Sequence, residues 1–116
     1  MKTKATDPCY RFRDAKPEEQ VAKLKEELAE VEEALAAYQE DPDSNKTFIH
    51  LLVEILDVQA CAETFIYQLV KNYKYGDLSA VLRLGEASNE VVAKNTRRGY
   101  YLTPEEAEKI SNEKLK

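Results

Sequence analysis

Residues 48–70 read FIHLLVEILDVQACAETFIYQLV, which is the longest strongly apolar stretch of the chain. Apolar residues would cover most of the circumference of a helix here, so that helix needs cover on several sides, from its own bundle or from a second subunit. Glu54, Asp57 and Glu63 interrupt the stretch, which therefore predicts a buried helix and not a membrane span. We predict this long helix over about residues 45–73.

The segment before the long helix carries an apolar stripe with spacings of three and four, which predicts an amphipathic helix that begins at Pro17. The stripe consists of Val21, Leu24, Leu28, Val31, Leu35 and Tyr38. The turn that follows contains Asp43 and Ser44, either of which is a suitable N-cap for the long helix. Residues 1–16 show no such pattern and are predicted to be irregular.

Two shorter helices are predicted after the long helix. Asp77 is a suitable cap for a third helix, in which Gly85 favours a break. A capping box that starts at Thr103 predicts a short C-terminal helix and tail over residues 104–116. We therefore expect an all-α fold with a single domain over residues 1–116, built as a four-helix-type bundle. The apolar circumference of the long helix favours completion of this bundle by oligomerisation.

The composition narrows the classes of function. The 116 residues include 17 Lys and Arg and 22 Asp and Glu, which gives a net charge of −5. An acidic chain of this size is a poor candidate for binding nucleic acid, because neutralising phosphates requires a surplus of cations. Its two cysteines, Cys9 and Cys61, are too few for a disulfide framework, and its first residues lack the apolar core of a secretory signal. We expect a cytoplasmic protein that has neither nucleic acid nor a membrane as partner.

Two carboxylate pairs are the candidate functional residues. Glu27 and Glu30 lie one turn apart on the first helix, and Glu54 and Asp57 lie one turn apart on the long helix. Each pair alone also fits a solvated helix edge, although the second pair lies among apolar residues, where unpaired carboxylates are costly to bury. If the two helices pack antiparallel, the four carboxylates converge into an oxygen site that suits Mg²⁺ or Mn²⁺. His50, the single histidine, lies outside the Glu-x-x-His pattern that a di-iron bundle requires.

The end of the third helix is basic. A stretch of five residues contains three cations, Lys94, Arg97 and Arg98, in a chain whose net charge is negative. These cations would stabilise the helix C-terminus through its dipole. Alternatively, they would bind phosphates that also contact a metal ion at the carboxylates.

Three motifs occur in a fixed order along the chain: Glu-Glu-x-x-Glu at residues 26–30, Glu-x-x-Asp at 54–57 and Lys-Asn-x-x-Arg-Gly at 94–99. This order resembles the MazG-like all-α nucleoside triphosphate pyrophosphohydrolases, over roughly residues 17–101. The resemblance implies hydrolysis of a nucleoside triphosphate to its monophosphate and pyrophosphate, with Mg²⁺ as cofactor and Mn²⁺ as a substitute. It also implies a homodimer or homotetramer with a house-cleaning role in the nucleotide pool.

The resemblance assigns two groups of residues. The metal ligands would be the carboxylates of Glu27, Glu30, Glu54 and Asp57. Either Glu27 or Glu30 would also be catalytic, as the acceptor of a proton from the attacking water. The substrate-binding residues would be Lys94, Asn95 and Arg98.

A different class of function stays open beside the enzyme. A non-catalytic helical module that senses nucleotide, or that binds a protein partner, would also account for the acidic first helix. Such an interaction module gives no reason for Glu54 and Asp57 within an apolar helix, and on this ground we favour the hydrolase.

Overall fold

The computed structural model describes residues 2–114, and over this range it contains helices and no strand, so the all-α class is confirmed. The elements are a 3₁₀ helix at Tyr10–Phe12 and the α-helices α1 at Pro17–Glu40, α2 at Asn45–Lys71, α3 at Asp77–Arg97 and α4 at Pro104–Lys114. The chain divides into two compact units, of which the first ends at Asp77 and the second begins at Leu78. The single domain over residues 1–116 stays a prediction.

Helices α1 and α2 form an antiparallel hairpin. Near one end, the Gln20 side chain at the start of α1 donates a hydrogen bond to the Cys61 carbonyl of α2, at 3.1 Å. At the other end, the rings of Tyr38 and Phe48 pack with their centroids 5.7 Å apart. The predicted N-cap of α2 is confirmed at Ser44, whose side chain accepts a hydrogen bond from the backbone of the first helical turn.

The predicted irregular N-terminal segment contains the 3₁₀ helix, and hydrogen bonds attach it to α2. The Cys9 backbone N–H donates to Thr64 Oγ1 at 2.8 Å. The Gln68 side chain donates to the Phe12 carbonyl, also at 2.8 Å. These bonds satisfy backbone groups of the segment. They also hold the segment against α2, where it forms one wall of a cavity.

In the second unit, α3 runs through Gly85 without a break. It ends at a left-handed glycine, Gly99, with a φ of 72°. There the Tyr100 N–H donates to the Asn95 carbonyl and the Gly99 N–H to the Thr96 carbonyl, which is the paired arrangement of a Schellman motif. Glycine suits this position because it adopts a positive φ without strain.

The capping box of α4 is also confirmed in the second unit. The Thr103 side chain accepts a hydrogen bond from the Glu106 N–H at 3.1 Å, and the Glu106 carboxylate accepts one from the Thr103 N–H at 3.2 Å. The last residues of the predicted tail, 115–116, lie outside the described residues. Over residues 2–114, none of the helices combines the length and apolar character that crossing a membrane requires.

Candidate metal centre

Three of the four predicted carboxylates converge between α1 and α2. One carboxylate oxygen from each of Glu27, Glu30 and Glu54 lies within 4.8 Å of the other two. Glu27 and Glu30 are three residues apart, so they share a face of α1, and the antiparallel packing brings Glu54 close to both. We call these three residues the carboxylate cluster.

Two oxygens of the carboxylate cluster are buried without a hydrogen-bond partner among the described residues. They are Oε2 of Glu27 and Oε2 of Glu54. The Glu27 residue is only 7% exposed, and the Glu54 side chain is 13% exposed. Because a buried acceptor without a partner costs about 1–3 kcal/mol, and more when it is charged, this arrangement favours a bound cation.

The electrostatics of the carboxylate cluster show the same deficit of positive charge. The negative charge of Glu27, followed by burial and the nearby Glu54, raises the pKa of Glu30 above its usual value. Lys23 supplies one compensating cation, with its Nζ 2.9 Å from Glu27 Oε1. This hydrogen bond and the charge of Glu27 raise the pKa of Lys23. The exposed His50 lies with Nε2 3.8 Å from Glu54 Oε1.

Asp57, the fourth predicted ligand, lies outside the carboxylate cluster that residues 2–114 form. Its side chain is exposed, and it lines a neighbouring cavity together with Glu27. The structure thus brings Glu27, Glu30 and Glu54 together and leaves Asp57 beside them.

Two cavities adjoin the carboxylate cluster. The first cavity has a volume of about 460 Å³, lies between the N-terminal segment, α1 and α2, and is lined by Phe12, Lys23 and Glu27 among others. The second cavity has a volume of about 360 Å³ and is lined in part by Glu30 and Glu54. A ligand in either cavity would therefore contact the cluster, and volumes of this size are typical of small-molecule sites.

A second group of buried polar residues lies further along the hairpin, and its member on α1, Gln20, was not singled out from the sequence. We call it the glutamine network, and it consists of Gln20, Cys61, Thr64 and Gln68. The Gln20 side chain donates to Cys61 Sγ at 3.1 Å and accepts from Gln68 Nε2 at 2.9 Å. Burial raises the pKa of the Cys61 thiol. A sequence signal that indicates Gln20 is its position seven residues, or about two turns, before Glu27, which places both on one face of the helix. Both residues are buried on α1.

The predicted substrate-binding residues Lys94, Asn95 and Arg98 lie at the C-terminal end of α3, in the second unit. The Asn95 side chain donates a hydrogen bond to the Tyr101 hydroxyl at 3.3 Å. The Arg98 guanidinium lies 5.8 Å from the centre of the Tyr100 ring, within the range of a cation–π contact. These residues form a basic and aromatic surface at that helix end.

Comparison with protein-family models, with curated proteins and with solved structures gives no match for this chain.

Proposed function

We propose that the protein is a MazG-like, Mg²⁺-dependent nucleoside triphosphate pyrophosphohydrolase. It would convert an NTP or dNTP and water to the NMP or dNMP and pyrophosphate, with a house-cleaning role in the nucleotide pool. The convergence of Glu27, Glu30 and Glu54, with two buried oxygens that lack partners, is the observation that supports this proposal. An all-oxygen donor set suits Mg²⁺, and Mn²⁺ as its substitute, better than softer metals.

In this proposal the carboxylate cluster holds the ion, and Asp57 completes the site from the first cavity. The ion supplies Lewis acidity to the triphosphate. Glu27 or Glu30 accepts a proton from the attacking water, since each carboxylate has a second oxygen for this purpose. The water oxygen forms a bond to the α-phosphorus, the bond from this phosphorus to the bridging oxygen breaks, and pyrophosphate leaves.

Lys94, Asn95 and Arg98 bind the substrate in this proposal. Their side chains offer hydrogen-bond donors, two of them cationic, for phosphate and sugar oxygens. The aromatic rings of Tyr100 and Tyr101, which contact Arg98 and Asn95, are suitable surfaces for stacking a base.

The test of the proposal is pyrophosphate release from a panel of ribo- and deoxyribonucleoside triphosphates, with Mg²⁺ and with EDTA. We expect release that depends on Mg²⁺ and that is lost in the Glu54→Gln, Asp57→Asn double variant. Glu63→Gln is the matched control, because Glu63 is an exposed carboxylate on the same helix. Turnover by the double variant at the wild-type rate would contradict the proposal.

We also propose that a homodimer or homotetramer completes a four-helix-type bundle. Several large apolar side chains of α2 are exposed in the single chain, among them Ile49 at 57%, Val53 at 45% and Leu69 at 50%. An exposed apolar surface of this kind is typical of a protein interface. Light scattering that gives the mass of one chain would contradict this part of the proposal.

The cytoplasm is the proposed location. Both cysteines, Cys9 and Cys61, are free thiols, as is usual in a reducing compartment. Cell fractionation with a tagged protein tests this, and recovery outside the cytoplasm would contradict it.

The alternative function is a nucleotide sensor or protein-interaction module without turnover. The position of Asp57 outside the carboxylate cluster favours this alternative, because a weakened ligand set suits binding better than catalysis. A nucleotide that raises the melting temperature with Mg²⁺ but yields no pyrophosphate would identify a sensor. If no nucleotide raises the melting temperature and none yields pyrophosphate, the protein-interaction module is the remaining alternative.

A further inference from the structure

We propose that Lys23 exchanges one anionic partner for another when the site is filled. Its ammonium group pairs with Glu27 in the structure, with Nζ 2.9 Å from Oε1. When the carboxylate cluster holds a divalent ion, the ammonium group binds a phosphate group of the ligand instead. This inference rests on the proposed function, because it requires a ligand with phosphates at the same site.

The pair of Lys23 and Glu27 has little value for the helix itself. Lysine precedes glutamate by four residues, which is the less favourable orientation of such a pair on a helix. The Lys23 side chain is 52% exposed, whereas that of Glu27 is 10% exposed. A half-exposed ion pair contributes little to stability. The ammonium group therefore lies beside Glu27 because the buried carboxylate attracts a positive charge, and not because the pair stabilises the helix.

The position of Lys23 suits a ligand in the first cavity. Lys23, Glu27 and Asp57 all line this cavity, whose volume is about 460 Å³. A phosphate that contacts an ion on Glu27 would therefore lie beside the lysine. The four-carbon side chain of lysine is flexible and carries three donors, so a small rotation transfers the ammonium group from a carboxylate oxygen to a phosphate oxygen.

The charges make the exchange depend on both the ion and the ligand. A divalent ion on Glu27 repels the ammonium group across the same carboxylate, so Lys23 opposes binding of the ion alone. A phosphate between the two cations attracts both of them. Lys23 should therefore weaken the binding of the metal by itself and strengthen the binding of the metal together with a phosphate ligand.

Two titrations of the full chain test this prediction of opposite signs. The first measures binding of Mn²⁺ alone by calorimetry, and the second measures binding of inorganic tripolyphosphate in the presence of Mn²⁺. For Lys23→Met we expect Mn²⁺ alone to bind at least as tightly as to the wild type. We expect tripolyphosphate to bind about tenfold more weakly or worse, as for the loss of one charge-assisted hydrogen bond.

Two further variants provide the controls. Lys23→Arg keeps the positive charge and should restore most of the tripolyphosphate binding. Lys25→Met removes an exposed lysine of the same helix and should bind both probes like the wild type. Melting curves of the four proteins show whether each variant is folded.

Each result of the titrations decides for or against the inference. If Lys23→Met weakens Mn²⁺ alone, Lys23 only orients Glu27 and the inference is wrong. It is also wrong if the wild type does not bind tripolyphosphate, or if Lys23→Met binds it equally well. Pyrophosphate release by the wild type separates this inference from the proposed function. If the wild type releases pyrophosphate but Lys23→Met binds both probes like the wild type, only the role of Lys23 is rejected. If the titrations give the expected result but the wild type releases no pyrophosphate, the hydrolase is rejected.

Discussion

The hairpin of α1 and α2 contains two buried polar groups, the glutamine network and the carboxylate cluster, and they differ in how they are satisfied. In the glutamine network, donors and acceptors are both present. Gln68 donates to Gln20, and Gln20 donates to both the carbonyl and the thiol of Cys61. The one buried oxygen of this network without a partner among the described residues is Oε1 of Gln68, and it is uncharged.

The carboxylate cluster offers only acceptors when it is ionised. Glu27, Glu30 and Glu54 cannot donate hydrogen bonds to one another without taking up a proton. Among the described residues, one lysine, Lys23, pairs with one of their oxygens. The glutamine network thus meets all but one of its hydrogen-bonding needs within the described residues, whereas two buried oxygens of the carboxylate cluster have no partner there.

The largest expected effect comes from breaking the carboxylate cluster. Glu54→Gln removes one of its charges and replaces an acceptor with a donor, so we expect kcat to fall by about a hundredfold or more, as for the loss of one electrostatic active-site group. The rise in melting temperature on adding Mg²⁺ should disappear. Steady-state pyrophosphate release and melting curves measure the two effects. If Mg²⁺ raises the melting temperature of this variant as much as that of the wild type, the carboxylate cluster is not the metal site.

Breaking the glutamine network should give the opposite pattern. Gln68→Leu removes the hydrogen bonds to the Phe12 carbonyl and to Gln20 and leaves the acceptor on the buried Gln20 without this partner. We expect the free energy of unfolding to fall by about 1–3 kcal/mol, as measured by urea denaturation. The Mg²⁺-induced rise in melting temperature should stay as in the wild type. A loss of that response would mean that the two groups act as one.

Asp57 lies beside the carboxylate cluster, and its substitution tests which carboxylates bind the ion. Asp57→Asn should weaken binding of Mn²⁺ alone by less than Glu54→Gln does, since Asp57 is exposed and is not one of the three converging carboxylates. Calorimetric titration of both variants with Mn²⁺ gives the order. The reverse order would show that Asp57 is a principal ligand.

The smallest expected effect concerns pH. The folded-state pKa of Glu30 is raised above its usual 4.5, mainly by Glu27, so ionisation of Glu30 opposes folding. The associated stability is fully present below pH 4.5 and is lost as the pH rises through the raised pKa. With EDTA at pH 8, Glu30→Gln should therefore melt at a higher temperature than the wild type. At pH 4 the two proteins should melt alike, and a lower melting temperature at pH 8 would contradict this account.

The helices followed from local sequence signals, and their ends agree closely with the structure. Pro17 begins α1, Ser44 caps α2 and Gly99 follows α3. The predicted break at Gly85 does not occur, because one glycine costs a helix only about 1 kcal/mol and α3 has 21 residues. The long helix ends at Lys71, two residues before the predicted end.

The site was predictable in part. The spacing of Glu27 and Glu30, together with antiparallel packing, predicts that they face Glu54. Asp57 follows Glu54 at the same spacing of three residues, so the spacing alone could not predict that Asp57 lies beside the carboxylate cluster and not in it. The role of Lys23 was not predictable, because it depends on side-chain conformation and on the local charge.

One consequence of the hairpin concerns how the chain tolerates changes in length. Helix α2 carries members of both buried groups, from Glu54 to Gln68, on one continuous backbone. Insertion or deletion of a single residue between them would rotate one group by about 100° relative to the other, and one of them would leave the interface with α1. Natural variants of this protein should therefore gain or lose residues in the turns at 41–44 and 72–76, and keep the interval between Glu54 and Gln68 constant.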